Sequence, residues 1–286
     1  MKKFLITLLL QLILLPANAF DFSLIINDCQ TNKDIRAVKK VLKSQVKYAN
    51  KNDFNKFIST YDEKYVNGDG FNLDIYSTLV KDLWALYDGI EYDVEIKNVL
   101  IKDDIATVEL IETSHADLPA SHAYDGELKS VANSIYKLHK INNEWKVISD
   151  SVIDETTSML YGAAKDLDVV LNVPIQVNAG TDYTATLEFE TPKEMVAIAS
   201  IAADKVEYPQ KPTQEVFRAM PEDNILERIF TSNNDNVNEY IVASIGLTKT
   251  SLTPSSLNLS LMGFGYTIRR VNVIPIEEKS LNDKDK

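Results

Sequence analysis

Three rhythms of apolar and polar positions follow one another along this chain. From Thr31, Ile35, Val38, Leu42, Val46 and Ala49 recur at helical spacing, with Thr31 placed to cap and Asp34 in the first turn. Asn50-Lys51-Asn52-Asp53 interrupts them, and Phe54, Phe57, Ile58 and Tyr61 make the stripe of a shorter second helix. After the tight turn at Asn67-Gly68-Asp69-Gly70, the broad apolar face of Ile75, Tyr76, Leu79, Val80, Leu83, Trp84 and Tyr87 predicts a third helix from about Leu73, ended by Gly89.

From Tyr92 the period shortens toward two. Tyr92 to Ile101 and Ile105 to Thr113 predict a hairpin joined through Lys102-Asp103-Asp104. Residues 114 to 130 are polar, with His115, Pro119, His122 and Gly126, and read as a loop. A second hairpin runs from Val131 to Ile141 and Glu144 to Ile153, turned by Asn142-Asn143, two residues that tolerate positive φ. A two-residue turn sets Tyr136, Leu138, Trp145 and Val147 on one face, toward a core. Lys137, His139, Glu144 and Lys146 take the other.

Beyond a polar linker at 156–168, strands dominate: Val169 to Val177, Tyr183 to Glu190, Met195 to Ala203, Asn238 to Thr248 and Leu257 to Ile274. Alternation puts Tyr183, Ala185, Leu187 and Phe189 on one face. This spacing predicts an immunoglobulin-like β-sandwich over 169–276, with no cysteine pair to pin its sheets. Residues 216–230 are dense in charge and large apolar groups and fit either a strand or helix crossing between sheets or a docking surface. The tail 277–286 is polar, the composition of a disordered end.

Three helices and a four-strand meander, closed by the Glu144-Trp145-Lys146-Val147 strand and containing the Phe54 to Val66 segment, resemble the nuclear transport factor 2-like superfamily over about residues 31–153, within a domain at 30–155. The resemblance implies an α+β cone: a curved antiparallel sheet wrapped around helices, with a cavity lined at Tyr61, Tyr65, Trp84, Tyr136 and Trp145. It also implies a homodimer through the outer sheet face near Lys137, His139 and Lys146. Members of this superfamily include dehydratases, isomerases, carriers and dimerisation domains, so the fold leaves the function open.

The N-terminus adds a destination. Met1-Lys2-Lys3, an apolar run from Phe4 to Leu15 and Pro16-Ala17-Asn18-Ala19 follow the order of a secretory signal, with cleavage expected after Ala19. The run is short for a membrane span, which needs about 20 apolar residues, and no later segment is apolar enough. Losing Lys2 and Lys3 takes the formal charge from −12 to −14, a surface that repels nucleic acid. The single cysteine, Cys29, cannot close an intrachain disulfide and is misplaced for lipid attachment.

Catalytic motifs are sparse. The three histidines lack metal-binding spacing, and no metal or cofactor is expected. His115 with Asp117, and His122 with Asp125, could form acid–base dyads but fall in the loop, so the catalytic residues stay unassigned. Asn67-Gly68-Asp69-Gly70-Phe71 departs from a calcium loop at Gly70 and Phe71. Tyr240 and Tyr266 are candidates for a sugar-binding groove, and Arg269-Arg270 is a small basic spot. The leading expectation is therefore a secreted or periplasmic, non-catalytic binding or assembly protein of the envelope, with a protein or glycan partner. A carrier or isomerase/dehydratase using the cone, and a carbohydrate-binding sandwich, are the alternatives.

Overall fold

The computed structural model describes residues 29–87, 89–121, 124–211, 214–253 and 256–275. The signal segment 1–19, His122 and the tail 277–286 lie outside them. The described residues form two compact units: 29–113 with 133–152, and 114–132 with 153–275.

In the first unit α1 (Cys29–Ala49) starts two residues before Thr31, with no acidic residue in its first turn. Its core-facing stripe is Val38, Leu42, Gln45 and Ala49, all buried, with Ile35 and Val46 only half-buried. Helix α2 is one short turn (Phe54–Ile58) capped by Asp53, and Tyr61 lies beyond it in an isolated bridge to Val147. Asn72 caps α3 (Leu73–Leu86) through Ile75 N. That helix ends before Gly89, which nonetheless takes the positive φ of +76° expected of a glycine at such an exit.

Strands β1 (Glu91–Lys102), β2 (Ile105–Ser121), β3 (Tyr124–Ile141) and β4 (Glu144–Gly162) neighbour one another in sequence order. Asn142 and Asn143, at φ 50° and 64°, make the β3–β4 turn as expected. Two expectations are corrected. Residues 114–130 are mostly strand, because Ala116, Leu118, Gly126 and Leu128 keep a buried alternation beneath the polar composition. The stretch 156–162 is the end of β4, and only Ala163–Asp166 forms a short 3-10 turn after it. At that exit Gly162 sits at φ +56°, where a Cβ would meet Met262 O at 2.6 Å.

The second unit has the strand order β4-β12-β11-β8-β9, from β12 (Ser256–Ile274), β11 (Glu239–Thr253), β8 (Met195–Lys205) and β9 (Arg218–Ala219). A three-stranded sheet has the order β10-β7-β5, from β10 (Ile225–Thr231), β7 (Asp182–Glu188) and β5 (Val170–Asn172). Pro174 divides the expected 169–177 strand into β5 and β6 (Gln176–Asn178), and β6 pairs parallel with β12. Tyr183, Ala185, Leu187 and Phe189 on one sheet, and Ala199, Ile201, Ile241, Ala243, Ile245 and Leu247 on the other, share one core. The architecture is thus α+β, with a large antiparallel sheet and few helices.

Segment 216–230 contains β9 and β10 joined through a turn at 222–224, with no helix. Arg269-Arg270 is no surface spot: Arg270 is 1% exposed, and Arg269 pairs with Asp154 at 2.8 Å. No helix among the described residues is long and apolar enough to cross a membrane.

Candidate functional site

The inward phase of β2 runs Ala106, Val108, Leu110 and then Glu112, and that of β3 runs Ser134, Tyr136 and Leu138. A carboxylate therefore continues the apolar row. Glu112 accepts from Ser134 Oγ at 2.7 Å and from Tyr136 Oη at 2.8 Å, one bond on each oxygen. Asp150 on β4 accepts from Tyr65 Oη at 2.5 Å. Both carboxylates are half-buried, while Tyr65, Tyr61 and Tyr136 are buried.

The sequence-selected aromatics gather in this core. Tyr61 Oη lies 3.0 Å from Tyr76 Oη, and the Tyr61, Tyr65 and Tyr76 rings are 5.0–5.3 Å apart. Trp84 packs on Phe57 at 5.5 Å and donates to Tyr92 Oη at 3.1 Å. Trp145 lies at a different place in the core, near Asp34 (3.3 Å), which also holds Lys140 at 2.8 Å. Four of the five expected positions thus belong to a network that Glu112, Asp150 and Tyr76 complete.

Burial raises the phenols far above their ordinary range. Next in size comes the charge of Asp150 for Tyr65 and Tyr76, and of Glu112 for Tyr136, while for Tyr61 it is the neighbouring Tyr76. These hydroxyls stay protonated; Tyr65 and Tyr136 donate to the carboxylates, and in the Tyr61–Tyr76 pair one hydroxyl donates to the other.

The other sequence candidates are scattered. Lys137 and His139 alternate with the buried Tyr136 and Leu138 and are half-buried, as is Lys146, which donates to Ser59 O. His115 and Asp117 are exposed on β2 in the second unit, and Asp125 pairs with Lys165. Tyr240 is half-buried, 3.4 Å from Glu155, whereas Tyr266 is 39% exposed. Asn67 Oδ1 accepts from Asp69 N and Phe71 N, so the Asn67–Phe71 stretch is a self-bonded turn. Among the described residues no cluster of three His, Cys, Asp or Glu could hold a metal ion. Sequence reasoning missed Glu112 and Asp150. For Glu112 a signal existed, an acid in the phase of a core row.

No family model and no curated protein matches the chain. Solved structures resemble part of it, and they include nuclear transport factor 2-like proteins. One from Pseudomonas putida KT2440 is 12% identical, with a TM-score of 0.31, covering 44% of this chain and 87% of that one. A hexachlorocyclohexane dehydrochlorinase (LinA) type 2 is 12% identical, with a TM-score of 0.36, covering 43% and 85%. Bd1075 of Bdellovibrio bacteriovorus is 16% identical, with a TM-score of 0.38, and the chain spans 42% of its length over 44% of its own. These likenesses assign no chemistry to this chain.

Proposed function

We propose that this chain is an exported, non-catalytic binding or assembly protein of the cell envelope, cut after Ala19, with a nuclear transport factor 2-like cone followed by an immunoglobulin-like sandwich. The observation that carries the reading is the internal pairing of the cone: Tyr61 with Tyr76, Tyr65 with Asp150, Tyr136 with Glu112, Trp84 with Tyr92 and Trp145 with Asp34. Rings in mutual contact whose polar tips bond to one another form a core, and a core is what a contact protein needs from this unit.

A second reading has one observation in its favour. Glu112 and Asp150 are half-buried beside buried phenols, an arrangement able to take up a small ligand or, with Asp150 as base, to move a proton. One experiment separates the two: a thermal-shift screen of the mature chain and of Asp150→Asn against small molecules. The assembly reading expects no compound whose stabilisation depends on Asp150. A compound that raises the Tm of the native chain alone overturns it in favour of the ligand-binding cone. Export is checked by intact mass, which should begin at Phe20 in envelope or medium fractions.

A further inference from the structure

Sheet edges carry unpaired N–H and C=O groups, and folded proteins blunt them with shortness, proline or outward charge. Three of the edge strands here are blunted. β9 has two residues, and Pro221 follows shortly after. β5 has three residues, between Asp168 and Pro174. β1 is long but sets Glu91, Asp93, Glu95 and Lys97 toward solvent.

β10 is different. Its seven residues, Ile225-Leu-Glu-Arg-Ile-Phe-Thr231, contain no proline or glycine, pair residue for residue with β7 without a bulge, and have no strand on their other side among the described residues. They carry one acid and one base, so the strand is neutral on a strongly acidic chain. Ile229 is 71% exposed. Leu226 and Phe230 face Leu187 and Tyr183 across the ladder, so Ile229 gains nothing from the core and stands on the outer face opposite Thr184.

We infer that β10 pairs antiparallel with β10 of a second copy, extending the three-stranded sheet across a two-fold axis. The inference rests on the assembly reading above and names its surface. Charge selects the register, because a two-fold perpendicular to a sheet sets one residue opposite itself. Centred on Glu227 or Arg228, the pairing opposes like charges. Centred on Leu226 or Phe230, only three residues of each strand overlap. Centred on Ile229, five residues pair, Ile229 covers Ile229 of the second copy, Glu227 meets Thr231, and Arg228 meets Phe230. Arg228 lies over its own Phe230, 5.0 Å from the ring centroid, and donates to Ile201 O of β8, so this pair sits on the inner face in phase with Leu226 and leaves Ile229 as the apolar group on the outer face.

The test is analytical ultracentrifugation of the mature chain at micromolar concentration, with Ile229→Lys beside it and thiol trapping in a Cys29→Ser background. The expected mass is twice that of the monomer, lost in Ile229→Lys with an unchanged Tm. Oxidation should trap Ile229→Cys as a covalent dimer and leave Thr184→Cys, on the neighbouring strand, untrapped. A monomeric native chain overturns the inference, as does a dimer that survives Ile229→Lys. If the surviving dimer is instead trapped by His139→Cys, the outer face of β3 carries the contact, and the assembly reading stands while this surface falls.

Discussion

The core of the first unit is wired by side-chain hydrogen bonds among aromatic rings, whereas that of the second is mostly aliphatic, with its buried polar groups bonded outside any such ring network. In the first, Tyr61, Tyr65 and Tyr136 each bring a hydroxyl inside, and the carboxylates and Tyr76 exist in the fold as partners for them. In the second, alanine, leucine, isoleucine and valine fill most of the space. Among its buried polar groups Glu239, 5% exposed, accepts from Tyr183 Oη at 2.7 Å and from Asn233 N and Nδ2 at 2.8 and 2.7 Å, tying the 232–238 loop to β11. The difference shows two ways of being buried: one depends on directional pairing and hence on protonation, the other on shape.

If that contrast is right, the largest single loss should come from shape. Leu247→Ala, at a fully buried position of the second core, is expected to cost about 2–5 kcal/mol in denaturant unfolding. Glu239→Ala removes the acceptor of the bonds from Tyr183 and Asn233 and should cost about 2.5 kcal/mol, with hydrogen exchange rising first in the 232–238 loop. Tyr65→Phe should cost about 1.5 kcal/mol, and its signature is pH dependence. The folded phenols of the first unit are raised above the ordinary value of 10. Their contribution is therefore fully present below about pH 10 and lost as pH rises further, because the unfolded chain gives up those protons first. Tyr65→Phe should flatten that alkaline loss, and an unchanged slope would detach the phenols from the contrast. Smallest is Asn72→Ala, which removes the α3 cap and should cost about 1 kcal/mol.

What could be read in advance follows from locality. The stripe of α1, the Asn142-Asn143 turn and the face shared by Tyr183 and Phe189 depend on residues a few positions apart, and the structure has them. Residues 114–130 read as a loop because Ser114, His115, Asp117 and Pro119 make a loop-like composition, while the strand signal is confined to the buried Ala116, Leu118, Gly126 and Leu128. Glu112 could have been found by phase. Asp150 could not, since it falls out of step with Trp145 and Val147 and earns its place only through Tyr65, 85 residues earlier. The open edge of β10 was equally hidden, because an edge is a property of a whole sheet's order.

That dependence on distant partners has a temporal side. β12, almost the last described segment, pairs with β4 over a separation exceeding a hundred residues at Arg269 and Thr156, with β11 along its length and with β6 in parallel. Until it arrives, β11 has a neighbour on one side only and the 271–273 end of the aliphatic core is missing. The second unit therefore cannot close before β12 is in place, and its folding should be slow, as for other sheets built from remote pairings.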